Sequence, residues 1–173
     1  MLHSAVKKAL SAILVLLLCL FGTFAAGCAH SDPPGVVRLL RETGRTQPRF
    51  AFAPEDLLFG GGAYYAYYSL FEADDLLLTL NTDENGGVRR AALTVPRQAA
   101  SAGALCDFAK TLFALLAKGD AEAMAAALGL GAEAYAPMEQ PRRFQNGHYT
   151  CVFFTGDLAA SFWITDDFFY DPS

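Results

Sequence analysis

A chain of 173 residues, 53% apolar and 18% charged, is too hydrophobic for a disordered tail and too charged for a polytopic membrane protein. Its length allows one domain, or one domain behind a leader. The net charge of −5 leaves no basic face broad enough for a nucleic-acid backbone, so that partner is excluded.

Much of the apolar excess lies at the N-terminus. Lys7 and Lys8 precede residues 9–26, which carry no charge; a charged n-region followed by an apolar h-region is the pattern of an export signal. The run ends Ala25-Ala26-Gly27-Cys28. This ending resembles the lipobox of bacterial prolipoproteins, although Ala25 stands where that family most often has Leu. Cys19 fits worse, because Leu18 precedes it within the apolar run. The resemblance covers residues 1–28 only. It implies cleavage before Cys28, diacylglycerol on the Cys28 sulfur, at least two acyl chains of the palmitate kind, and attachment to the extracytoplasmic side of a bacterial cell-envelope membrane. Two chains give stable anchoring where one is marginal. An uncleaved spanning helix and an ordinary signal peptide cut near Gly27 are the alternatives.

On this reading residues 1–27 are the signal peptide, 28–34 a lipidated tether and 35–173 one globular domain. Cleavage removes Lys7 and Lys8 and no acid, so the remaining 146 residues are half apolar with a net charge of −7. Such acidity opposes adhesion to anionic lipid, so the acyl chains rather than a polybasic patch are expected to supply membrane contact.

The domain opens with a short helix over residues 33–43, capped by Asp32 and stopped by Gly44. A three-stranded meander follows over residues 63–71, 76–81 and 88–95, entered from Gly60-Gly61-Gly62 and closed by Pro96. Residues 99–117 carry the period of an amphipathic helix, with Leu105, Ala109, Leu112 and Leu116 opposite Asp107, Lys110, Thr111 and Lys118. Gly119 ends it, and Asp120 caps a second helix over residues 121–128. Residues 148–155 and 158–165 form a hairpin around Gly156-Asp157. The expected fold is therefore α+β: an antiparallel sheet of about five strands, meander plus C-terminal hairpin, with a helix pair on one face.

Sites for chemistry are scarce. Residues 81–86, Asn-Thr-Asp-Glu-Asn-Gly, follow the start of a calcium loop, but Asn fills position 1 and Ala92 fills position 12, so a tight turn is the better reading. The glycine triplet lacks the Lys-Ser/Thr of a phosphate loop. His148 and Cys151 fall on opposite faces of one strand, which separates them as a dyad. No zinc ligand set and no cofactor motif is present. Cys106 and Cys151 are either a possible disulfide of an exported protein or two buried thiols. The acid pairs Asp74-Asp75, Asp83-Glu84 and Asp166-Asp167 read as solvated strand ends unless the fold gathers two of them.

The aromatics are more telling. Tyr65 and Tyr67 in the first strand, and Trp163 in the last, are candidate binding residues if helices cover only one face of the sheet. The expected function is a membrane-anchored, extracytoplasmic, non-enzymatic binding or accessory module with a protein or glycan partner. The alternatives are a small carbohydrate- or cation-dependent hydrolase using the acidic turns, and an inhibitor or immunity-type partner protein.

Overall fold

The computed structural model describes residues 34–50, 58–61, 64–71, 74–97, 99–132 and 135–168, of which 58–61, 64–71 and 74–75 are placed by their backbone. The expected Asp32 cap, Gly62 and the lipobox lie outside these residues. The elements are α1 (Pro34–Thr46), a 3-10 turn (Pro48–Phe50), β1 (Leu58–Gly61), β2 (Tyr64–Phe71), β3 (Asp74–Thr82), β4 (Val88–Pro96), α2 (Ala99–Leu116), α3 (Ala121–Leu128), β5 (Arg142–Asn146), β6 (Tyr149–Thr155) and β7 (Ala159–Asp166).

The fold is α+β, with one antiparallel sheet in the order β1-β2-β3-β4-β7-β6-β5. It contains the five expected strands and two more, β1 and β5, one at each edge. Two meanders meet at β4 and β7, where Leu93 pairs with Phe162. The α2–α3 pair spans the interval between them in the chain.

Period-2 patterning sorts the central strands cleanly. Leu76, Leu78 and Leu80 of β3, Ala91, Leu93 and Val95 of β4, and Ala160, Phe162 and Ile164 of β7 are buried. They join Leu105, Phe108, Leu112 and Phe113 of α2 and Val36, Leu39 and Leu40 of α1 in one core. Each such side chain contributes about 1.5–3 kcal/mol by leaving water. Three helices, not a pair, therefore cover this face.

Several boundaries have local causes. α1 runs past Gly44 to Thr46, and the Thr43 and Thr46 hydroxyls donate to the carbonyls of Leu39 and Glu42. Thr111, expected on the wet face of α2, is buried, its hydroxyl donating back to the Asp107 carbonyl. Asp120 caps α3 as expected, accepting from the Glu122 and Ala123 N–H groups, and Gly129 ends it at φ 70°.

Gly35 fixes where α1 begins. A β-carbon there would collide with the Gly86 carbonyl oxygen and lie 3.0 Å from the Gly87 Cα, so only glycine lets the helix rest on the β3–β4 turn.

Candidate functional site

Two regions carry the groups that could meet a ligand. The first is the sheet face away from the helices. Across β3, β4, β7 and β6 the register lines up Thr79, Ala92, Trp163 and Val152, with Arg143 of β5 beyond. The neighbouring row runs Leu77, Thr94, Ser161 and Phe154. Apart from buried Val152 and exposed Arg143, these residues are half-buried, and the Thr94 and Ser161 hydroxyls lie 3.0 Å apart in a mutual hydrogen bond. The face thus presents one indole with the apolar Leu77, Ala92, Val152 and Phe154 and three hydroxyls, and Arg90 lies alongside in β4.

The register sets Tyr65 opposite Leu80 and Tyr67 opposite Leu78, both in the row that the helices bury. The side chains of Tyr65 and Tyr67 lie outside the described residues. Trp163 is therefore the sequence candidate that the register places on the face away from the described helices, where it is half-buried.

The second region lies at the β3–β4 turn. Asp83 closes that turn: its Oδ1 accepts from the Asn85 N–H at 2.9 Å and the Gly87 N–H at 2.8 Å, and Gly86 sits at φ 74°. These bonds belong to a hairpin turn and leave the carboxylate engaged. Asp83 Oδ2 accepts from Arg89 Nε at 2.7 Å, and a terminal Arg89 nitrogen donates to Asp166 Oδ2 at 2.8 Å. Asp166 is 2% exposed, and its Oδ1 accepts from the Phe168 N–H. The Gly87 N–H is the chief cause holding the Asp83 carboxyl below its ordinary value; Arg89 and the Asn85 N–H add to this against partial desolvation. Two of the three acid pairs do converge here, but on a guanidinium rather than on each other. The side chains of Asp74 and Asp75 lie outside the described residues.

Beside Arg89 opens a cleft of about 520 Å3, lined among others by Gly35, Arg38, Glu42, Lys118 and Tyr149. Arg38 and Lys118 make no ion pair among the described residues, whereas Glu42 pairs with Arg45 at 3.1 Å. Burial raises the Tyr149 phenol above its ordinary value. Lys118 is the one described non-glycine residue with positive φ, at 53°, where α2 ends.

Nucleophile and base are kept apart. Cys151 is fully buried among the core residues, its thiol pushed up to about 12 by desolvation, whereas His148 stands exposed in the β5–β6 turn, 3.9 Å from Asp166 and stacked on Phe168. Cys106 on α2 is also buried, its thiol raised chiefly by desolvation, and both cysteines are free in this structure. Among the described residues no group of three His, Cys, Asp or Glu side chains could hold a metal ion, and no helix is long and apolar enough to cross a membrane. The chain matches no family model, no curated protein and no solved structure.

Sequence reasoning did not find the Arg89 bridge, because Arg89 and Asp166 are 77 residues apart. It also passed over Arg38, Arg41 and Arg45, whose spacing of three and four was legible once a helix was expected.

Proposed function

We propose that this protein is a lipid-anchored binding module of the bacterial cell envelope, held through Cys28 and non-enzymatic, whose sheet face opposite the described helices takes a glycan. The observation that carries this reading is Trp163, half-buried between Ala92 and Val152 on the face opposite the helices, with Ser161 and Thr165 two residues away on the same strand face and Thr94 beside Ser161. An indole stacks on the apolar face of a sugar ring, while hydroxyls and the nearby Arg90 and Arg143 match its polar rim. Leu77, Ala92, Val152 and Phe154 share this face with the indole, so a protein partner is the second reading, and it is favoured if glycans leave the Trp163 emission unchanged.

Trp163 is the chain's one tryptophan, so its emission reports on this face directly. Titration with envelope glycan fragments should shift or quench the emission saturably, and calorimetry on Trp163→Ala should lose the binding while the far-UV spectrum is retained. Unchanged emission at millimolar glycan would defeat the glycan reading. The anchor is tested separately by Cys28→Ala and membrane fractionation: release from the membrane supports lipidation, and continued association favours an uncleaved spanning helix.

A further inference from the structure

The mature chain is acidic, yet its cations are unevenly placed. Four of the eleven arginines and lysines that follow Cys28 fall within residues 34–50, as Arg38, Arg41, Arg45 and Arg49, against a single acid, Glu42. This is a local excess of three positive charges in a chain of net −7, at the segment nearest the lipidated cysteine.

The helix sorts that charge by face. At 100° per residue Arg38, Arg41 and Arg45 fall within a 60° sector. All three are exposed. Val36, Leu39, Leu40 and Thr43 are buried on the opposite side. The exposed Lys118, across the cleft from Arg38, extends the stripe with a fourth cation. Glu42 offsets one charge through its pair with Arg45, and Arg38, Arg41 and Lys118 have no acid partner among the described residues.

Chain length limits where this face can be. Gly35 is seven steps along the chain from Cys28, and a fully extended chain spans at most about 3.6 Å per step, so α1 begins within about 25 Å of the anchoring cysteine. A cationic stripe held so close to a bilayer meets lipid phosphates at high effective concentration.

We propose that the outer face of α1, with Lys118, docks on the anionic phospholipid headgroups of the membrane that carries the anchor. The proposal rests on the lipid-anchor reading and adds an orientation to it. The helices lie on one face of the sheet and Trp163 on the other, so a bilayer-facing α1 turns the indole outward. It also revises the expectation drawn from total charge. The acids near this face are Glu42, paired with Arg45, and Asp83 and Glu84 at the turn beneath the start of α1, with Asp83 engaged by Arg89, so the four cations outnumber them. At about 0.1 M salt, screening within roughly 10 Å weakens the more distant acids.

The test uses residues 28–173 with Cys28→Ser, since residues 32–173 form a compact unit whose described core is drawn from residues 36–164. Co-sedimentation at about 0.1 M salt compares vesicles of phosphatidylcholine alone with vesicles containing phosphatidylglycerol. Binding is expected only to the anionic vesicles, and Arg38→Gln and Arg41→Gln should each weaken it by roughly fivefold, about twenty-five-fold together. Arg97→Gln, just past the end of β4 remote from the β3–β4 turn, should leave it unchanged. Equal binding to both vesicles, no binding to either, or indifference to the α1 substitutions overturns the proposal. Saturable capture of free glycerol 1-phosphate without vesicle binding also overturns it, by showing the cleft to be a site for a soluble anion. Acylation of Cys28, read by mass spectrometry of the membrane fraction, reports on the anchor independently, so failure of the anchor and failure of the docking face are distinguishable.

Discussion

Replacing Arg89 by Met tests how the β3–β4 turn is tied to the end of β7. Arg89 is about two-fifths exposed, but its partner Asp166 is 2% exposed and would keep only the Phe168 N–H as a close donor. Removing one member of a buried ion pair costs about 3–5 kcal/mol, because the remaining charge is left uncompensated. Water can follow the exposed guanidinium position, so the lower end applies, about 3 kcal/mol. With a denaturant slope of about 2 kcal/mol per molar, the urea midpoint should fall by roughly 1.5 M. The same reasoning fixes the sign of a second change. Asp166→Asn in the Arg89→Met background removes the stranded charge and should recover about 2 kcal/mol, although Asp166→Asn alone destabilises the natural chain. The double-mutant cycle should therefore give a coupling of at least about 1.5 kcal/mol. Circular dichroism in urea on the four proteins measures it. A midpoint shift below about 0.5 M for Arg89→Met, or additive single effects, would refute the account.

Three further outcomes follow from particular atoms. Lys118→Gly should raise the melting temperature by about 3 °C, since glycine adopts the left-handed φ of 53° without a β-carbon penalty; calorimetry checks it, and a lower melting temperature would mean that the lysine holds the end of α2. Thr155→Val should be neutral or stabilise by up to about 1 kcal/mol in urea titrations, because Thr155 Oγ1 is buried with no hydrogen-bond partner among the described residues. Asp83 has its pKa depressed in the folded chain, so its contribution to stability is present above the ordinary carboxylate value near 4 and disappears as pH falls through the folded value; Asp83→Asn should flatten the urea midpoint against pH below about 4.

The interior of the fold was legible because each central strand alternates one buried face with one open face, as Leu76, Leu78 and Leu80 do in β3. The edges were not. β1 is only four residues long and changes register between Phe59 and Gly61, so it never completes an alternation. β5 reads Arg-Arg-Phe-Gln-Asn, with only Phe144 packed on the core, and owes its strand state to pairing with β6. Charged, short edges are what keep a sheet from recruiting further strands, so the features that conceal them in the sequence are the ones the fold requires. Trp163 was legible from its place in a hairpin. The Arg89 bridge was not, because it forms only when two meanders meet, and the stripe on α1 disappears when charge is averaged over the whole chain.

The contact at Gly35 has a mechanical consequence. A pull on the chain ahead of Pro34 enters the domain through α1, and α1 is seated at Gly35 on the turn between β3 and β4. Both strands are interior, each hydrogen-bonded along both sides, so the load reaches the sheet at its most cross-linked place rather than at an edge that could be peeled. The Gly35 seat protects the sheet only while α1 stays docked: once α1 detaches, tension passes along the chain to β1, the edge strand that follows it, so the docking of α1 is what keeps a pull from peeling the sheet.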